Sequence, residues 1–199
     1  MPWFVIIAMS LAAAFVSPAA AQDPPKGRPT QEQLASDNKL FITLATRVLK
    51  WEEPAEPLRI LGPLYFVGTK GLGAFLFTTS EGHILMNTGM PSSGPMIVDS
   101  VRKLGFRPED IKLMINGHAH IDHAGAFAYL KDRFGAQLAV MKDDVAAMES
   151  GDRGDFKYAD DFLYPPAKVD RAPRAADPIP TDDALPPPHP PPAPTRRAT

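Results

Sequence analysis

Ile111-Lys112-Leu113-Met114-Ile115-Asn116-Gly117-His118-Ala119-His120-Ile121-Asp122-His123 is the stretch that decides how the rest of the chain is read. Its first six residues form an apolar run that predicts a strand, Ile111–Asn116. Its last six crowd three imidazoles and one carboxylate together, a density that packing does not explain. On an extended segment, side chains two apart share a side, so His118 and His120 can converge on one ion. Where the chain turns after Ile121, Asp122 and His123 can be redirected to a second ion nearby. Imidazole and carboxylate are nitrogen and oxygen donors that suit zinc, and no thiolate competes because the chain has no cysteine.

His118, His120, Asp122 and His123 match the H-x-H-x-D-H signature of the metallo-β-lactamase superfamily, which this segment resembles. In that superfamily the motif follows a strand and precedes a helix. The signature is shared by β-lactamases, lactone and thioester hydrolases and some nucleases, so it fixes the metal site better than the substrate. Upstream, Trp51-x-x-Pro54-x-x-Pro57 followed by Leu64-Tyr65-Phe66-Val67-Gly68-Thr69 is similar to the entry region of class B, subclass 3 metallo-β-lactamases. The substrate class implied is therefore a β-lactam antibiotic. The resemblance implies zinc-activated water opening the ring, with one zinc on His118 and His120 polarising the carbonyl. A second zinc on Asp122 and His123 would steady the ring nitrogen, and Asp122 would act catalytically by orienting the nucleophile.

Around the motif the pattern alternates. Leu40, Phe41, Leu44, Val48 and Leu49 predict an amphipathic helix over 37–50. Strands are predicted at Leu58–Ile60, Leu64–Val67, Ala74–Thr79 and His83–Asn87, the last two joined by the turn Ser80-Glu81-Gly82. Met96, Ile97, Val101 and Leu104 mark a helix closed by Gly105, and Pro108 opens a short helical turn. Beyond the motif, Phe127, Leu130 and Phe134 line a helix running to Gly135, followed by a strand over Gln137–Met141 and a helix over Asp143–Met148. The fold class expected is α/β, one αβ layer of a four-layer αββα sandwich and hence its N-terminal half. His83, alone in a hairpin strand, reads as a packing or surface residue. Asn87-Thr88-Gly89 stands where the superfamily usually carries Asp-Thr-Gly. Asn there keeps the hydrogen-bonding shape of a residue that steadies a ligating histidine but loses its charge.

The ends read differently. Trp3–Val16 is an uncharged apolar run too short for a comfortable membrane span, followed by Ala19-Ala20-Ala21, which has the form of an export-signal cleavage site. A membrane anchor or a buried N-terminal helix is the competing reading. The domain plan is a signal peptide over 1–21, a flexible leader over 22–36, a partial metallo-β-lactamase domain over 37–170 and a Pro-rich disordered tail over 171–199. The mature chain is expected to be periplasmic or secreted, without stable membrane insertion.

The tail holds two large apolar residues, Ile179 and Leu185, too few to offset the entropy of ordering its backbone. A shifted reading frame, a premature end and a natural Pro-rich binding segment all fit its abrupt change of pattern. A net charge of −2 gives no reason to expect a nucleic-acid partner.

The resemblance also implies third ligands further along the family's chain, one in a Gly-His-Ser/Thr turn and one near the C-terminus. Only five histidines exist here, at 83, 118, 120, 123 and 189, and His189 lies among prolines. Each zinc would keep two protein ligands, so partial zinc occupancy and little or no turnover are expected. A non-catalytic remnant or binding module of the same fold, and a lactone or thioester hydrolase, are the alternatives.

Overall fold

Tyr65, Leu76, Leu85, Met114 and Leu138 stand in one row across five neighbouring strands and are all buried. That row is the floor of the core. The computed structural model describes residues 31–155 and 157–174. Its strands are β1 (Leu58–Leu61), β2 (Leu64–Phe66), β3 (Phe75–Phe77), β4 (His83–Met86), β5 (Ile111–Ile115) and β6 (Gln137–Ala139), in that spatial order in one sheet. The first four pair antiparallel, whereas β4, β5 and β6 run parallel.

Parallel neighbours need crossover connections, and helices supply them. Helix α2 (Ser93–Lys103) joins β4 to β5, and α3 (Ile121–Ala124) with α4 (Phe127–Phe134) joins β5 to β6. Ile97, Val98 and Val101 of α2 and Phe127 and Leu130 of α4 pack into the same core as the strand row. Burying each such side chain stabilises by about 1.5–3 kcal/mol. Gly135, at φ +67°, ends α4 in a left-handed cap, as its position in the sequence predicts. Helix α5 (Val145–Ser150) follows β6. The opposite face of the sheet is equally apolar but less covered, with Phe66, Phe75 and Ile115 half-buried and Met86 exposed.

Two details depart from the sequence reading. Helix α1 spans Gln31–Arg47, so it begins inside the segment read as a leader and stops before Lys50. Gln31-Glu32-Gln33-Leu34-Ala35 are good helix formers, and Glu32 in the first turn suits the positive end of the helix dipole. Most of the predicted apolar stripe is not docked: Leu40 and Leu44, with Val48 and Leu49 just past the helix end, are exposed, while Asn38 and Ala45 are buried. Asn38 Nδ2 donates to Asp161 Oδ2 at 2.8 Å, and the Phe41 ring packs against Trp51 and Phe162, which sets the helix rotation.

At the other end, Val140 N–H donates to Arg171 O and Lys142 N–H to Pro173 O, at 3.1 and 2.9 Å. Ordered pairing beside β6 thus runs into the segment read as tail. The export segment over 1–21, the first part of the leader, and residues 175–199 with His189 lie outside the described residues. No helix among the described residues is long and apolar enough to cross a membrane.

Candidate metal centre

The site forms at the carboxyl ends of the parallel strands, where open α/β sheets bind their ligands. Three segments meet there: Asn87–Gly89 after β4, Gly117–His123 after β5, and the Gly151–Asp155 loop after α5. His120 caps α3 in extended backbone, and its carbonyl accepts the N–H groups of His123 and Ala124 at 2.9 and 2.8 Å. His118 and His120 therefore sit on the incoming chain, while Asp122 and His123 occupy the first helical turn. The chain turns where the sequence places the turn.

The three motif rings are neighbours. His118 lies with its centroid 4.9 Å from His120 and 4.0 Å from His123. Donor atoms divide into two groups, each within 4.8 Å: His118 with Asp122 and His123, and His120 with Asp152 and Asp155. A tetrahedral zinc with ligands at about 2.1 Å holds them about 3.4 Å apart. His123 Nε2 and Asp122 Oδ2 are 3.4 Å apart, and His120 Nε2 and Asp155 Oδ2 are 3.7 Å apart. Those separations are long for hydrogen bonds and match the edge of a metal polyhedron. Donor chemistry and spacing both fit a divalent ion.

Buried hydrogen bonds lock the frame. Thr88 N–H donates to His123 O at 2.8 Å, and Thr88 Oγ1 both donates to His123 O and accepts the Ala126 N–H, each at 3.2 Å. Asn87 Oδ1 accepts the Gly117 N–H at 2.8 Å, so the amide at the Asp-Thr-Gly position holds the backbone just ahead of His118. Asn87 takes φ +60°, a conformation Asn tolerates better than most residues. From the far side, the Tyr164 hydroxyl donates to Ala119 O at 2.7 Å, pinning the residue between His118 and His120. Gly125 lets the motif helix press on the β4 loop, because a Cβ there would lie 2.5 Å from Pro91 N.

Electrostatics follow from this crowding. Burial, joined by the nearby His123 and His120, holds the His118 imidazole below its ordinary pKa, which favours the neutral form that binds metals. Burial works to raise the Asp122 carboxyl, but the His123 imidazole beside it outweighs that effect and leaves it lowered. Burial pushes the Asp152 carboxyl up against the attraction of His120. Burial also raises the Tyr164 phenol, which stays a donor at neutral pH. A pocket of about 110 Å³ opens over the histidines, with an aromatic wall of Phe41, Trp51, Tyr158 and Phe162. His83 stands apart, buried edge-on against Phe106 at 5.3 Å, and is a packing residue.

The family model of the metallo-beta-lactamase superfamily matches residues 74–196, more than half of the chain. The chain belongs to the metallo-beta-lactamase superfamily. That match starts within the β-sheet and passes Arg171, where the resemblance read from motifs ended. Among solved structures, the superfamily's subclass B3 enzyme BJP-1 of Bradyrhizobium japonicum is 43% identical with a TM-score of 0.63, over 67% of this chain and 50% of that one.

GOB-18 of Elizabethkingia meningoseptica is 31% identical with a TM-score of 0.63, over 80% of this chain and 53% of that one. The class B3 di-zinc enzyme LRA-12 from an Alaskan soil metagenome is 35% identical with a TM-score of 0.62, over 64% and 48%. An N-acyl homoserine lactonase of Bacillus cereus is 32% identical over 26% of this chain and 30% of that protein. The chain spans about half the length of the solved structures it matches.

Asp152 and Asp155 are the site residues that motif reading missed. Gly151-Asp152-Arg153-Gly154-Asp155 reads as a turn, and two acidic residues in a turn are ordinary; only the fold brings them to His120.

Proposed function

We propose that this chain carries the metal-binding part of a zinc-dependent hydrolase that opens β-lactam rings, with His118, His120, Asp122 and His123 as ligands. The His118–Asp122–His123 donor group, with Nε2 and Oδ2 already at polyhedral spacing, is the observation that carries the proposal. Bound zinc supplies Lewis acidity and acidifies a coordinated water toward neutral pH. Asp122, kept ionised beside His123, would hold the ion and orient the attacking water by accepting its hydrogen bond. Thr88, Asn87 and Tyr164 hold the backbone so that the four side chains need little reorganisation. The aromatic wall over the pocket gives an apolar ring system a surface to lie against.

The β-lactam reading draws support from the subclass B3 structures at 31–43% identity. Lactone hydrolysis is the second reading, favoured by the N-acyl homoserine lactonases. Export to the periplasm accompanies the first reading, through the Trp3–Ala21 segment.

Zinc-loaded protein assayed with a chromogenic cephalosporin and with an N-acyl homoserine lactone tests both readings. Zinc-dependent opening of the cephalosporin, abolished by His118→Ala, is the expected result. Lactone opening alone would move the assignment to the second reading, and hydrolysis of neither ring would overturn both.

A further inference from the structure

The sheet has a second face, opposite the core row, and its side chains are apolar without being fully buried. Strand register aligns Leu58, Phe66, Phe75, Met86 and Ile115 across it from β1 to β5. Leu58 is 53% and Met86 39% exposed, and the other three are half-buried. The Phe66 and Phe75 rings meet edge-on at 6.0 Å on that surface. A neighbouring row runs from Leu64 on β2 to Leu113 on β5, and neither row carries a charge. Sheets with parallel strands, as β4, β5 and β6 are here, are ordinarily covered on both faces. A contiguous apolar surface left open to water marks a place where something docks.

Within the 199 residues, the segments beyond the described ones differ in what they could bring to that face. Residues 175–199 hold Ile179 and Leu185 as their only large apolar side chains, and residues 22–30 hold none. Two such side chains cannot match two rows. A second copy of the chain presents an equal apolar surface. Because the rows are uncharged, bringing the face to its own copy sets no like charges against each other. Two sheets stack face to face about 10 Å apart, and a two-fold axis is the commonest way for identical surfaces to meet. We propose that two copies of this chain pack these faces together as a two-fold dimer. The proposal uses no metal ligand, so it stands apart from the hydrolase reading.

Two other arrangements compete with it. The apolar run Trp3–Val16 of the same chain could cover the face, or copies could associate through the exposed Leu40 and Leu44 of α1. Sedimentation equilibrium of the full chain over a wide concentration range separates these, run alongside Met86→Glu, Leu58→Glu and Leu44→Glu. Each substituted side chain is exposed in the single chain, so all three variants should fold, which a cooperative thermal melt checks. If Met86→Glu does not melt cooperatively, Leu58→Glu at the sheet edge takes its place in the comparison.

The parent protein should show a concentration-dependent dimer. Met86→Glu should weaken it by at least about 100-fold, because each copy would carry an unpaired carboxylate into an apolar interface. Leu58→Glu, nearer the rim, should weaken it less, and Leu44→Glu should leave it unchanged. A parent protein that stays monomeric at every concentration would overturn the proposal. Association lost in Leu44→Glu but kept in Met86→Glu and Leu58→Glu would overturn it as well and move the interface to α1. Association unaffected by all three substitutions would also overturn it.

Discussion

Thr88→Val is a nearly isosteric change with two opposing terms. Thr88 is fully buried, and its Oγ1 accepts the Ala126 N–H and donates to His123 O. Valine keeps the Thr88 N–H bond to His123 O but leaves the Ala126 N–H, at a fully buried residue, without that acceptor. Orphaning a buried donor costs about 1–3 kcal/mol. The gain from burying a methyl in place of a hydroxyl is about 1 kcal/mol at most. The balance is a loss of about 1–2 kcal/mol, which for a domain of this size lowers the melting temperature by roughly 2–8 °C.

Urea and thermal unfolding of the metal-free protein measure this loss directly. Thr88→Ser retains the hydroxyl, forfeits only a methyl, and should fall between parent and valine variant. Because His123 hangs from the same bonds, Zn²⁺ affinity should drop in the valine variant more than in the serine one. Thr88→Val as stable as the parent, with Thr88→Ser the weaker of the two, would refute the role given to this hydroxyl.

Three further outcomes follow from the same geometry. Gly125→Ala places a Cβ 2.5 Å from Pro91 N and 2.6 Å from the Met90 carbonyl carbon. Backbone must move, at a cost of about 3 kcal/mol or more, and denaturant unfolding should show it; Gly135→Ala meets no atom and should cost only about 1 kcal/mol for its φ of +67°. Tyr164→Phe removes the buried bond to Ala119 O and should cost about 1–2 kcal/mol, with Zn²⁺ affinity falling as His118 and His120 loosen. Burial holds the His83 pKa below 6.5, so the folded chain binds fewer protons there than the unfolded chain. Stability should therefore rise with pH through the window that closes near 6.5 and be lost on acidification, and His83→Leu should flatten that dependence in urea midpoints measured across it.

Much of this fold can be read from periodicity because each element makes its own local sense. The Phe127–Leu130–Phe134 spacing ending at Gly135 yields α4 with its cap, and the apolar run before His118 yields β5. Helix α1 is the instructive exception. Of the predicted stripe, Leu40, Leu44, Val48 and Leu49 are left exposed, and the helix docks through the Phe41 ring together with Asn38 and Ala45. Periodicity identifies an amphipathic helix but not which surface is there to meet it.

Likewise the motif announces four metal donors by their density in sequence. Asp152 and Asp155 stay invisible until α5 and the loop after it return the chain to His120. The same holds for Tyr164, whose anchoring of Ala119 spans 45 positions. What cannot be read locally is whatever depends on two distant segments meeting.

The most direct test of the metal cradle is the zinc content of purified chain after saturation and exhaustive dialysis, compared with a His118→Ala/His123→Ala variant. The parent chain should retain zinc and the variant should lose the ion held by those two imidazoles, both remaining cooperatively folded. A parent chain that retains no zinc, or a variant that retains as much as the parent, would contradict the account.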